Sequence, residues 1–97
     1  MEVALAVGLA VRRARYQRGC SQEELAELAD LDRTYISGLE RGLRNPALST
    51  LRRLADALDL SLSRLFLTAE QISAGRLRVP VSSRNATGTG RRRTAGR

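Results

Sequence analysis

The stretch Ser21–Arg41, SQEELAELADLDRTYISGLER, decides the fold of this 97-residue chain. It reads as two short helices joined by a tight turn. Ser21 is placed to cap the first helix, and Glu24, three residues on, to bond back in a reciprocal capping box. Leu25, Leu28 and Ala29 follow at i, i+3, i+4 spacing, which predicts an apolar stripe along one face. Asp30-Leu31 interrupts that pattern, and Asp32 is suited to cap a second helix running from Arg33 to Arg41. Ile36 and Leu39 are expected to point inward there, leaving Arg33, Thr34, Ser37, Gly38 and Arg41 on the outer side. A short helix with a small, polar, cationic outer face fits a DNA major groove about 12 Å wide.

Three pieces surround this stretch in order: RRARYQRGCSQEELA before the turn, TYISGLERGLRNP across the second helix, and LSTLRRLADALDLSLSRLF after it. Together they resemble the helix-turn-helix domain of the phage repressor and Cro family, also called the Xre family, from about Val7 to Phe66. The resemblance implies an all-α fold, a five-helix lambda-repressor-like DNA-binding domain whose helices 2 and 3 form the helix-turn-helix. It also implies a sequence-specific transcriptional regulator of double-stranded DNA in the bacterial or phage cytoplasm, associated with the nucleoid. The string LDRTYISGLERGLRN looks in addition like the restriction–modification controller branch. In the family an arginine at the place of Arg15 reaches a glutamate at the place of Glu40, so a structural ion pair between the two is expected.

Composition bounds the rest. The length allows one small domain, and only three percent of residues are aromatic, so the core must be aliphatic. The net charge is +7 and every cation is an arginine. Residues 1–75 hold ten Arg against ten Asp plus Glu, whereas residues 76–97 hold seven Arg and no acid. The body is therefore neutral, and the excess points to a phosphate-bearing partner. Residues 1–75 are expected to form the DNA-binding domain and residues 76–97 a flexible, disordered arginine-rich tail, low in apolar residues. No apolar run approaches the ~20 residues of a membrane span, so no membrane partner is expected. The apolar start VALAVGLAV reads as helix rather than signal peptide.

The chain has no histidine and a single cysteine, Cys20. A cysteine zinc cluster and an internal disulfide are thereby excluded, and Cys20 is expected to be a small buried hydrophobe. No catalytic residue, metal or cofactor is expected, and the protein does not read as an enzyme.

Along the chain, Val3, Val7, Val11 and Ala14 predict the inward face of a first helix over about 3–18, stopped at Gly19. Leu5, Leu9 and Tyr16 lie off that stripe and offer a contact patch. Asp30 and Asp59 stand at helix ends where the family prefers glycine, a place Asp tolerates better than most residues. Leu48, Leu51, Leu54, Ala55 and Leu58 predict helix four, with Arg52, Arg53 and Asp56 outside. Ser61 is expected to cap helix five, with Leu62, Leu65 and Phe66 in the core, and Thr68 with Gln71 to cap a further turn or two ending at Gly75. Val79-Pro80-Val81 predicts a short extended segment.

DNA recognition divides into positioning and reading. Gln22, at the start of the first motif helix, is placed to meet a phosphate, and Arg41, Arg44 and Asn45 flank the other end as phosphate contacts. Arg33, Thr34, Ser37 and Gly38, with Tyr35 at the edge, are the base-reading candidates; Arg33 suits guanine O6 and N7. Family members act as two-fold dimers, so a homodimer on a palindromic operator is expected, with half-sites ~34–36 Å apart. The alternative reading is a DNA-binding antitoxin or interaction partner whose C-terminal segment binds another protein.

Overall fold

The computed structural model describes residues 1–80. Five helices follow in order: α1 (Val3–Gln17), α2 (Gln22–Ala29), α3 (Arg33–Glu40), α4 (Leu48–Ala57) and α5 (Leu62–Ser73). No strand occurs among the described residues. The long α1 packs against α5 and α3, while α2 lies against α3 and α4. The core between them is aliphatic, with Ala10, Val11, Leu25, Ile36, Leu54 and Leu65 wholly inaccessible. Val81, the last residue of the expected extended segment, and the arginine-rich stretch that follows it lie outside the described residues.

Two helices carry side-chain caps. Ser21 Oγ accepts from the Glu24 N–H at 3.0 Å while the Ser21 N–H donates to Glu24 Oε1 at 2.8 Å, so the capping box of α2 closes in both directions. Ser61 Oγ accepts from the Arg64 N–H at 3.0 Å at the start of α5. Asp32 occupies the cap position of α3 but makes no side-chain capping bond.

All five helices end in the same turn. In each, the residue that follows the last turn's positive-φ position donates its N–H to the carbonyl five residues back, as Leu43 does to Gly38 at 2.9 Å and Leu60 to Ala55 at 2.8 Å. The turn needs one residue with positive φ. Gly19, Gly42 and Gly75 supply it at three ends, and Asp30 (φ 58) and Asp59 (φ 59) at the other two. At the first of these, Arg53 from α4 donates Nε to the Ala29 carbonyl at 3.0 Å and Nη2 to the Asp30 carbonyl. Arg53 is exposed on the outer face of α4, as expected, and from there it also closes the end of α2.

Glycine also sets how near α3 lies to α1. A β-carbon at Gly8 would stand 2.0 Å from the Leu39 carbonyl oxygen, so the two backbones touch where only glycine fits.

The inward faces differ from expectation at their edges. In α2 the buried residues are Leu25, Ala26 and Ala29, and Leu28 is 63% exposed. Both triplets satisfy helical spacing, and the position of α3 and α4 selects one. Val3 and Leu48 are exposed because each opens its helix beyond the edge of the core, and Phe66 rests at the rim. Thr68 and Gln71 cap nothing, since α5 runs through them without a break. Of the residues set aside as a contact patch, Leu9 packs on the core, Leu5 meets the end of α3 at Gly42 and Tyr16 is half-buried; Val79 packs on the core as well. Residues 76–80 run back along α1, where Arg12 Nη1 donates to the Pro80 carbonyl and Arg13 Nε to the Arg78 carbonyl, each at 3.2 Å.

Candidate nucleic-acid interface

The outer face of α3 is positioned by a polar chain that begins in the core. Arg15 on α1 and Glu40 on α3 are both fully buried and pair in a fork, Nε to Oε2 at 2.6 Å and Nη2 to Oε1 at 2.9 Å. The third direction of the guanidinium is used as well: Nη1 donates to the Cys20 carbonyl at 2.9 Å. Gln22 Nε2 donates to Glu40 Oε1 at 3.1 Å, and Arg33 Nη1 donates to Gln22 Oε1 at 3.4 Å. Arg12 Nε lies 3.5 Å from the same Glu40 oxygen. A single carboxylate thus collects α1, α2 and α3, and its network ends at an exposed arginine on the first turn of α3.

This arrangement explains why Gln22 faces inward. Residues 22, 25, 26 and 29 share one helical face, so the glutamine heads the buried stripe of α2. Its amide is committed to Glu40 and Arg33. The second N–H of the amide and the backbone N–H groups of the first helical turn, which carry positive dipole charge, are left for a phosphate at this end.

Among the residues proposed to read bases, Arg33 and Thr34 are exposed, and Ser37 and Tyr35 are half-buried. Gly38 is buried, which corrects its placement on the open outer side. The space a side chain would take there holds Arg44, whose Nε would stand 3.0 Å from a β-carbon at Gly38. The Arg44 guanidinium carbon lies 5.5 Å from the centre of the Tyr35 ring, a cation–π distance. Arg41 and Asn45 are exposed beyond the helix end, with Arg41 Nε donating to the Ser37 carbonyl at 3.4 Å.

Sequence reasoning did not find the Gln22–Glu40 contact or the Arg44 side chain over α3. A signal for the first was the i, i+3, i+4 relation of Gln22 to Leu25 and Ala26. For the second it was a glycine at residue 38, inside a helix, followed six residues later by an arginine beyond a helix-ending glycine.

Cys20 is buried beside the ion pair. Its thiol is pushed above the ordinary range, first by burial and then by the Glu24 carboxylate, with Arg15 and Arg18 acting the other way. It is held neutral and unreactive. No helix among the described residues is long and apolar enough to cross a membrane.

A Helix-turn-helix family model matches residues 11–65, and the chain belongs to that family. It is 43% identical over 61 residues to a hypothetical transcription factor of Neisseria meningitidis, covering 63% of this chain and 58% of the relative. To the control protein C.SmaI of Serratia marcescens it is 51% identical over 55 residues, 57% of this chain and 66% of the relative. The chain therefore spans less than two thirds of the length of these curated relatives. The crystal structure of the restriction-modification controller protein C.AhdI from Aeromonas hydrophila is 44% identical. It superposes with a TM-score of 0.63 over 64% of this chain and 94% of that one.

Proposed function

We infer that this protein is a sequence-specific, double-stranded-DNA-binding transcriptional regulator that presents α3 to the major groove as a two-fold dimer. The observation that carries this reading is the α3 face: exposed Arg33, with Thr34 exposed beside it, is held by a hydrogen-bonded chain running into a buried ion pair. Groups that read base edges must be positioned before contact, because an unconstrained arginine spends part of its binding energy on being ordered. Arg33 takes guanine O6 and N7, while Thr34 and Ser37 make the smaller contacts. The N-terminus of α2 takes one phosphate, and Arg41 and Asn45 take a second run beyond the helix end.

The family is one of DNA-binding regulators rather than enzymes, and no catalytic step belongs to this reading. The likeness to C.SmaI and C.AhdI supports a repressor or autoregulator acting on a short palindrome beside its own gene, in the bacterial cytoplasm. One domain contacts too few base pairs to select a genomic site, which favours two copies on half-sites about one helical turn apart.

Selection of bound duplexes from a random pool tests the reading. A symmetric consensus is expected, and Arg33→Ala should relax one base pair in each half-site while leaving the fold unchanged. Retention of every duplex alike by the unaltered protein would refute sequence-specific binding.

A further inference from the structure

The C-terminal half of α3 presents no base-reading side chain of its own on the line that continues from Thr34. The next residue on that line is Gly38, and it is buried. The seat it leaves is filled from outside the helix. A β-carbon at Gly38 would lie 3.0 Å from Arg44 Nε, 3.5 Å from Cγ and 3.7 Å from Cδ, so the arginine stem runs across the helix surface at this point. The guanidinium continues to the Tyr35 ring.

The backbone sets this route. Leu43 donates its N–H to the Gly38 carbonyl at 2.9 Å and Gly42 donates to the Leu39 carbonyl at 3.0 Å. That turn reverses the chain and returns residue 44 over the helix. It depends on Gly42, with φ 78 and a β-carbon position 2.9 Å from Leu5 Cα. Among the described residues no carboxylate pairs with Arg44, and no hydrogen bond engages it. Its five N–H donors are left for a ligand.

We propose that Arg44, in place of a side chain at Gly38, reads the base pair facing that part of α3, bonding guanine O6 and N7 with its planar fork. An arginine gripping a phosphate from the groove rim extends away from the helix. This one lies along the helix surface and enters the groove with it. Residue 38 is five positions beyond Arg33, roughly 7.5 Å along the axis at ~1.5 Å per residue. At ~3.4 Å per base step, each half-site then holds two arginine-read positions about two base pairs apart.

The inference rests on the DNA-binding reading above, and one experiment separates the two. The unaltered protein, Arg33→Ala, Arg44→Ala and Arg41→Ala are carried through the same selection from random duplexes, followed by titration on the selected site at several salt concentrations. Arg44 is exposed, so Arg44→Ala should melt with the unaltered protein. It should lose preference at one G·C pair per half-site, about two steps from the pair relaxed by Arg33→Ala. Discrimination there should fall about tenfold or more, whereas Arg41→Ala should weaken all sequences alike. An Arg44→Ala consensus identical to the unaltered one, with the salt slope flatter by ~0.9, would make Arg44 a phosphate contact and overturn the proposal. If the unaltered protein selects no consensus, the broader reading fails first, before any variant is compared.

Discussion

The two helices of the helix-turn-helix are the same length and are held by different means. α2 carries its own start signal, the Ser21–Glu24 box, complete within four residues. α3 has Asp32 at the matching place with no capping bond, and its anchor is instead the buried Arg15–Glu40 pair, whose partners are separated by 25 residues. The lesson is one of division of labour. The supporting helix is specified locally, whereas the helix that presents the reading face is oriented by a contact that exists only in the folded core. Because Glu40 also holds Gln22, and Gln22 holds Arg33, that contact reaches the surface.

This contrast is most easily broken at the ion pair. Arg15→Ala or Glu40→Ala leaves a buried charge without its partner and should each cost about 3–5 kcal/mol. Thermal melts should show the double variant losing clearly less than the sum of the two. Simple additivity would mean that α3 is not anchored this way. At the caps the contrast sharpens. Ser21→Ala should cost ~1 kcal/mol in denaturant unfolding, and Asp32→Ala no more than a few tenths. An equal loss at both sites would show that α3 too is started locally.

The smallest effect is expected at Cys20. Its thiol pKa is raised in the folded chain, so the folded state keeps its proton after the unfolded state has lost it. The stability linked to that proton is fully present below the ordinary thiol range, about 8.5. It declines as pH rises through that value towards the folded pKa. Melts of the unaltered protein and Cys20→Ala from pH 7 to 10 should therefore diverge only at the alkaline end. Parallel curves would place Cys20 in contact with water.

Much of this molecule is legible in its residues because the signals are local. Caps at Ser21 and Ser61 are questions of three or four adjacent residues. So are turns at Gly19, Asp30, Gly42, Asp59 and Gly75, and each of these elements occurs where local chemistry places it. The edges of the apolar stripes were less legible. Leu25 with either Ala26 or Leu28 satisfies helical spacing, and the choice belongs to the neighbouring helices. Val3 and Leu48 have core-like chemistry at positions where the helix has outrun the core. The candidate site divides in the same way: Arg33 and Thr34 stand exposed on the first turn of α3, while Gly38 does not face outward and Arg44 does not stay at the flank.

By itself, then, the order of residues determined five helices, their ends, an aliphatic core and an arginine on the first turn of the second motif helix. Periodicity, caps and positive-φ residues act within one or two turns of chain. Tertiary structure alone decided that the carboxylate expected to pair with Arg15 also gathers Gln22 and Arg12, that Gly8 admits the Leu39 carbonyl, and that Arg44 fills the seat left by Gly38. Each of these joins groups brought together by chain reversal and close approach of separate segments. Their energies depend on distances that exist only after the helices have packed.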